Sequence, residues 1–426
     1  MIKDLNKTDL AKYYADLKEK YEQYKAMGLN LDMSRGKPCK EQLDLSAKIL
    51  TILNDSEDCI SKDGTDCRNY GVLAGIVEAR EMFAELFDVE PDETIVGGNS
   101  SLNMIYDTIC RAMLFGVYGG EKPWGQQGEI KFLCPVPGYD RHFAICEAFG
   151  IKMINVPMTP HGPDMKIVKE YVESDPQIKG IWCVPKYSNP DGITYSADTV
   201  MALVDLNPAA PDFRIFWDNA YAVHYFADED DKLVEIMQEL KKVGKEDMLF
   251  MYTSTSKVSY PGAGVGAMAA SKNNVQLILK QMMPQCIGPD KLNQLRHVRY
   301  FKDATGYKQY MKKHAAILRP RFDTVLSTLK RELEGEGVAH WIEPNGGYFV
   351  SLYVMEGCAK RVVSLLAEAG VKMTSAGATY PYGKDPYDSY IRIAPTYPTT
   401  DELHIAMDML CLCVKMAAAE KLLETK

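Results

Sequence analysis

Between residues 130 and 269 the chain repeats one pattern: a short apolar run, a punctuated turn, then a segment long enough for a helix. The runs are 130–134, 151–156, 180–184, 214–217, 248–252 and 265–269. Short apolar runs set apart by helix-length segments argue for strands buried on both faces and joined by crossover helices. The expectation is an α/β fold built on a mostly parallel, doubly wound sheet flanked by helices. Ligands of such sheets lie beyond the carboxyl ends of the strands, so the residues that follow each run carry the functional information.

Those residues differ in kind from one strand end to the next. After 130–134 come Pro137-Gly138-Tyr139, and after 180–184 comes Asn189-Pro190-Asp191-Gly192. The run 214–217 ends in Asp218 with Tyr221 three residues on, and 248–252 ends in Ser254-Thr255-Ser256-Lys257, followed by Pro261, Gly262, Gly264 and Gly266. An aromatic, an amide, a carboxylate with a phenol, and a lysine converge on one face. A lysine just past a strand end, hemmed by hydroxyls and a glycine-rich turn, can lose part of its hydration, which favours the neutral, nucleophilic amine that Schiff-base chemistry requires.

Length and charge bound the rest. A chain of 426 residues suits two domains, and 46% hydrophobic residues is ordinary for a soluble globular protein. Lys+Arg 49 against Asp+Glu 58 leaves a net charge of −9, so neither nucleic acid nor an anionic membrane is an expected partner. Any anionic ligand must be held by a few placed cations. Eleven cysteines without a CxxC pair, and an opening stretch without an apolar signal core, lead us to expect reduced thiols, no metal site and a cytoplasmic protein. No run approaches the roughly 18 apolar residues of a membrane span.

Outside the alternating region the periodicity is helical. Thr8 as a cap, followed by Leu10, Tyr13, Tyr14, Leu17, Tyr21 and Tyr24 on one face, predicts an amphipathic helix that packs on its own domain or on a second subunit. The polar segment Arg35-Gly36-Lys37-Pro38 reads as a loop, and 72–83 as a helix. Asn99, Ser100 and Ser101 precede Leu102, Ile105, Ile109 and Met113 at helical spacing, which offers either a serine-capped helix or a phosphate site at a helix N-terminus. Beyond about residue 305 come a long helix over 307–334, a strand entered through Gly346-Gly347, a short strand at Ile391-Arg392-Ile393, and a final helix opened by a Thr399/Glu402 capping box. We therefore expect a large ligand-binding domain over 46–305 and a smaller α+β domain from 1–45 and 306–426.

The convergent groups match what pyridoxal 5'-phosphate needs, namely partners for its aldehyde, ring nitrogen, 3-oxygen, flat face and phosphate. On that reading Lys257 supplies the Schiff-base amine and later the base that moves the α-proton. Asp218 pairs with the ring nitrogen, and Asn189 and Tyr221 bond the 3-oxygen. Tyr139 stacks on the ring, and Arg392 grips the substrate α-carboxylate with its planar fork. Each residue has a plainer reading: Asp218 a helix cap, Tyr139 a core aromatic, Arg392 a surface ion pair. All the plainer readings would have to hold together, in chain order, for the constellation to be accidental.

The ordered set Arg35-Gly36-Lys37-Pro38, Tyr70, Gly98-Asn99-Ser100, Pro137-Gly138-Tyr139, Asn189-Pro190-Asp191-Gly192, Asp218-x-x-Tyr221, Ser254-x-Ser256-Lys257, Gly346-Gly347-Tyr348-Phe349 and Ile391-Arg392 resembles the fold-type I, class I aminotransferases. Its Ser-Arg-Gly-Lys-Pro and Pro-Gly-Ala-Gly-Val-Gly segments look most like a bacterial subgroup assigned as aspartate aminotransferases. The resemblance implies a homodimer with active sites at the subunit interface, Tyr70 reaching the neighbour's phosphate, and Gly36 and Asn189 lining the substrate pocket. It implies transfer of an amino group between L-aspartate and 2-oxoglutarate by a ping-pong mechanism. The chain departs from the family where most members carry a phosphate-binding arginine shortly after the lysine, for Gly264 stands there. Ser100, Ser101, Ser254, Ser256, Tyr70 or a distant lysine must then hold more of the phosphate. For the distal carboxylate of a dicarboxylic substrate Arg35 is the candidate, with Lys37, Arg141, Lys186 or a cation of a second subunit as substitutes.

Other activities share the same lysine and ring contacts: an alanine or aromatic transaminase, or a β-lyase. A ligand-sensing regulator on the same body would need an appended DNA-binding region, and the single helix before Leu31 leaves no room for one. An inactive scaffold fits poorly with the intact lysine, aspartate and arginine.

Overall fold

The computed structural model describes residues 1–425. Its strands are β1 (Leu31–Asp32), β2 (Thr94–Val96), β3 (Lys131–Val136), β4 (Lys152–Thr159), β5 (Gly162–Pro163), β6 (Ile178–Cys183), β7 (Arg214–Asp218), β8 (Leu249–Ser254), β9 (Gly266–Ala270), β10 (Ala339–Trp341), β11 (Val350–Val354), β12 (Val371–Lys372) and β13 (Tyr390–Ile393). Each apolar run read from the sequence is a strand, with bounds displaced by up to three residues. β6, β7, β8 and β9 are buried along their whole length, as strands covered on both faces must be.

The large sheet has eight strands in the order β2-β9-β8-β7-β6-β3-β4-β5. The pairs β8–β7, β7–β6, β6–β3 and β3–β4 are parallel. The sheet is thus mostly parallel, the exception beside the edge being β9, which runs antiparallel to both β8 and β2. The connection 255–265 holds only turns and one short 3-10 segment, Pro261–Ala263, and a parallel return needs a crossover of a dozen or more residues, usually with a helix. β2 and β5 are two or three residues long, too short to leave a periodic signal.

A second sheet pairs β10, β11 and β13 antiparallel, and β1 pairs with β12 in parallel. One apolar core joins residues near the N-terminus, such as Leu10, Leu17, Tyr21 and Met33, to the elements from Leu318 to Ala419. The first helix is Lys7–Ala26, and its cap is Asn6, whose side chain accepts the Asp9 N–H, not Thr8, which falls inside the first turn. Its aromatic stripe is a packing face. Tyr14 donates to Glu420 at 2.7 Å and Tyr21 to the Leu365 carbonyl at 2.9 Å.

The expected helix over 72–83 begins only at Val77 and runs to Phe87. Gly75 has φ +91°, and a Cβ there would lie 2.6 Å from the Val96 carbonyl oxygen, so the chain turns against β2 before the helix starts. The long helix is Ala304–Leu333, entered earlier than its apolar pattern suggests because Asp303 caps the Gly306 N–H. At Thr399 the capping box forms: Glu402 receives the Thr399 N–H at 2.8 Å, and the Thr399 hydroxyl receives that of Glu402 at 3.3 Å. Among the described residues no helix is long and apolar enough to cross a membrane.

Three buried histidines back the 255–265 connection. The ring of His297 meets the Ser259 hydroxyl at 2.7 Å, that of His314 meets Gln42 at 3.0 Å, and His224 has no hydrogen-bond partner at either ring nitrogen. Burial lowers all three, His224 to about 3 and His314 to about 4. An unfolded chain would protonate them near their ordinary pKa of about 6.5 while the folded chain does not, so their contribution is complete above that pH and is lost as pH falls below it. We expect the melting temperature to drop steadily as pH falls from 6.5 towards 4, and His224→Phe, which keeps a ring but cannot titrate, to flatten the slope. An unchanged slope in that variant would contradict the assignment.

Candidate active site

β3, β6, β7 and β8 are parallel, so the loops that follow them meet at one edge of the large sheet, where a cavity of about 510 Å³ opens. Tyr139, Asn189, Tyr221 and Lys257 line it from these loops. Ser34 to Lys37, Phe349, Thr374 and Arg392 face them from outside that sheet. Asp218 lies buried beneath.

Lys257 stands on the tight connection from β8 to β9. Its Nζ lies 4.9 Å from the centre of the Tyr221 ring and 5.9 Å from that of Tyr348. Burial lowers its pKa; Asp218 opposes the shift and Arg392 adds to it. The same burial pushes the Tyr221 and Tyr139 hydroxyls upward, so both stay protonated donors.

Asp218 closes β7 and is 2% exposed. Its Oδ2 accepts the Nε2–H of His142 at 3.1 Å, and His142 is stacked on Trp182 with ring centroids 4.5 Å apart. Oδ1 has no partner. A buried acceptor left unmet costs about 1–3 kcal/mol, more when charged, so the carboxylate is short of one donor. A protonated ring nitrogen is a group of the right kind. Tyr139, one helical turn before His142 and edge-on to it at 4.9 Å, is placed at the cavity wall.

Across the cavity Arg392 is 6% exposed. Its Nη1 donates to Asn189 Oδ1 at 3.1 Å and lies 3.6 Å from Asp140, and its Nη2 donates to Thr374 Oγ1 at 3.1 Å. The guanidinium carbon sits 4.6 Å from the centre of the Phe349 ring. Because Asn189 spends its oxygen on Arg392, its NH2 is the end left to donate to a ligand oxygen. Gly36 lets its loop lie against this wall, since a Cβ there would come within 2.7 Å of the Phe349 ring.

Asn99, Ser100, Ser101, Ser254 and Ser256 gather beside the cavity, where the turn after β2 meets the end of β8. Ser254 and Ser256 hydroxyls are 3.1 Å apart, and the Ser256 hydroxyl donates to the Asn99 carbonyl at 3.4 Å. Ser100 caps the helix Ser101–Phe115, its hydroxyl accepting the Asn103 N–H, so the local reading as a capped helix is realised; the positive end of a helix is also where an anion is favoured. A Cβ at Gly264 would lie 2.6 Å from the Asn99 carbonyl oxygen, so no larger residue fits there without moving the turn. Tyr70 is not in this cavity. It is 80% exposed, on a separate patch with Ile287 and Lys291.

The cations differ in how free they are. Lys37 is 3.9 Å from Asp32 and faces the Tyr397 ring, and Lys186 is held by Asp230 at 2.8 Å away from the cavity. Arg35 and Arg141 line the cavity without an ion pair among the described residues. The sequence reading missed Lys372, which lines the cavity too, and His142, Trp182 and Thr374. Only His142 had a signal, its one-turn spacing from Tyr139. No cluster of metal-binding side chains occurs among the described residues.

The family described as aspartate amino-transferase matches residues 5–426. The aspartate aminotransferase of Corynebacterium glutamicum is 44% identical over 419 residues, covering 98% of this chain and 96% of that one. The crystal structure of an aspartate transaminase from that organism matches with a TM-score of 0.96 at 44% identity over 99% of both chains. The α-aminoadipate aminotransferase of Thermus thermophilus, solved in complex with N-(5'-phosphopyridoxyl)-L-leucine, matches with a TM-score of 0.74 at 18% identity over 92% of this chain and 93% of that one, a likeness of fold. With the strand-end constellation and near-complete coverage in agreement, this chain is an aminotransferase of fold type I and belongs to the aspartate amino-transferase family.

Proposed function

We propose that the protein is a pyridoxal-phosphate-dependent transaminase that passes an amino group between L-aspartate and 2-oxoglutarate in a ping-pong exchange. The observation that carries this reading is the juxtaposition of a desolvated amine, Lys257, with the buried, donor-short carboxylate of Asp218 in the cavity that Arg392 closes. When bound, pyridoxal phosphate supplies an aldehyde for an amine to join and a protonated ring that takes up the electron pair released at the substrate α-carbon.

The chain's own residues do the rest. Asp218, oriented by His142, holds a proton at the ring nitrogen, and Asn189 and Tyr221 donate to the ring oxygen. Tyr139 covers one face. Arg392 receives the α-carboxylate bidentately and turns the α-hydrogen towards Lys257, whose lowered pKa suits it to take that proton and hand it on. The first turn of the helix Ser101–Phe115, with Asn99, Ser254 and Ser256, receives the phosphate. As the donor's oxo acid leaves, the acceptor occupies the same contacts, and the steps run backwards.

Borohydride reduction of the yellow protein followed by peptide mapping is expected to tag Lys257. A tag on any other lysine overturns the assignment. The exposed Tyr70 patch is proposed to meet a second copy of the chain, with Tyr70 reaching that copy's phosphate; sedimentation should then give the mass of two chains, and a monomer that transaminates at full rate would rule this out.

The preference for dicarboxylates is assigned to Arg35, which lines the cavity without an ion pair among the described residues. Losing a hydrogen bond to a charged group costs about 1.5–3 kcal/mol, so Arg35→Ala should raise KM for aspartate and 2-oxoglutarate by about 10–100-fold and leave that for alanine nearly unchanged. Equal effects on acidic and neutral substrates would move the role to Arg141 or Lys372.

A further inference from the structure

Asp191 is a carboxyl with 1% exposure, two residues after Asn189, behind the wall that Asn189 and Arg392 share. Its Oδ1 accepts the Ser351 hydroxyl at 3.0 Å and the Tyr353 hydroxyl at 3.4 Å, and its Oδ2 has no partner. Ser351 Oγ lies 2.5 Å from the Tyr390 hydroxyl and 3.2 Å from the Pro190 carbonyl. With Tyr390 donating to Ser351, and Ser351 to Asp191, the hydroxyls form a chain that runs one way and ends on the carboxyl. No cation joins them among the described residues, and burial pushes the Asp191 carboxyl up to about 7.

The register of the second sheet explains why these groups meet. Ser351 in β11 stands opposite Arg392 in β13, and Tyr353 stands opposite Tyr390. Opposite residues of an antiparallel pair share a face, as do residues two apart along a strand. Ser351, Tyr353, Tyr390 and Arg392 therefore project together from one sheet onto the 189–192 loop of the other. Arg392 meets Asn189 across that joint at the cavity, and the hydroxyl cluster meets Asp191 and the Pro190 carbonyl behind it.

We propose that Asp191 is a positioning residue: as shared acceptor for Ser351 and Tyr353, it fastens the Asn189 loop to the strand that carries Arg392. In doing so it fixes the spacing between the amide that meets the cofactor's ring oxygen and the guanidinium that meets the substrate α-carboxylate. This rests on the roles proposed above for Asn189 and Arg392. A loosened joint lets the two anchors drift, and a misplacement of about 1 Å is enough to weaken a pre-arranged site.

The test uses the holoenzyme and the non-reacting dicarboxylate maleate, with its Kd read from the cofactor's absorbance, alongside cofactor Kd, kcat, KM for aspartate and melting temperature. Asp191→Ala and Ser351→Ala are expected to raise the maleate Kd and the aspartate KM about tenfold while kcat changes less than about threefold, the pattern of lost binding geometry. Asp191→Asn, which keeps an acceptor oxygen, should restore both to within about threefold of the native protein. Ser351→Ala removes one hydroxyl, so it reads the joint even if Asp191→Ala does not fold. Variants that melt lower yet bind maleate as the native protein does would overturn the proposal and leave a structural cluster. Arg392→Ala separates the two levels: if it also binds maleate normally, the reading of Arg392 itself fails.

Discussion

A guanidinium removed from water is costly unless its donors are met, and the way Arg392 is satisfied sets the position of much around it. Its partners come from segments far apart in the chain: Asn189 after β6, Asp140 after β3, Thr374 after β12, and the Phe349 ring before β11. Meeting all of them at once requires the edge of the large sheet and the face of the small one to close on each other. The closure is incomplete by one donor, since Nε has no partner. A carboxylate is a group of the right kind to meet it, and the wall proposed to receive one is also the seam that holds the two sheets together.

Desolvation acts on Lys257 and on the imidazoles and phenols around it, in opposite senses. It lowers the lysine and the neighbouring imidazoles of His224 and His314, and it raises the phenols of Tyr139, Tyr221 and Tyr348. Each group is driven towards its uncharged form. The amine becomes a better base, the phenols remain donors, and the histidines add no positive charge that would compete for an anionic ligand. Asp218 has a dedicated partner, His142, itself held flat against Trp182. One low-polarity pocket therefore holds a base beside a carboxylate that is bonded to His142 at one oxygen and open at the other.

Much of this was legible in the sequence, for a physical reason. Parallel strands end abruptly in loops marked by Pro, Gly, Asn and Ser, so Pro137-Gly138-Tyr139, Asn189-Pro190, Asp218 and Ser256-Lys257 stand out from the apolar runs before them. Topology was less legible. The direction of β9 depends on what the 255–265 connection can span, and its apolar run looks the same whichever way it points. Lys372 gains its place through the β1–β12 pair, which spacing does not encode, and for His142 the spacing from Tyr139 gives no hint of its bond to Asp218 at the end of β7. The start of the helix at Val77 was hidden because the apolar pattern runs on through the turn at Gly75.

Gly264 shows how a departure from a family pattern can be read as packing. The turn after β2 and the turn before β9 cross so closely that a Cβ at this position would strike the Asn99 carbonyl and crowd the Ser256 hydroxyl. Two backbone segments that touch cannot also accommodate a long cationic side chain between them. The close crossing in turn brings Asn99, Ser100 and Ser256 together at the N-terminus of the helix Ser101–Phe115, where backbone N–H groups and hydroxyls supply many small donors in place of one fork. The phosphate proposed for this site would be held by dipoles fixed in the fold. The strength of that hold then depends on how firmly the two turns grip each other, which is what the missing side chain permits.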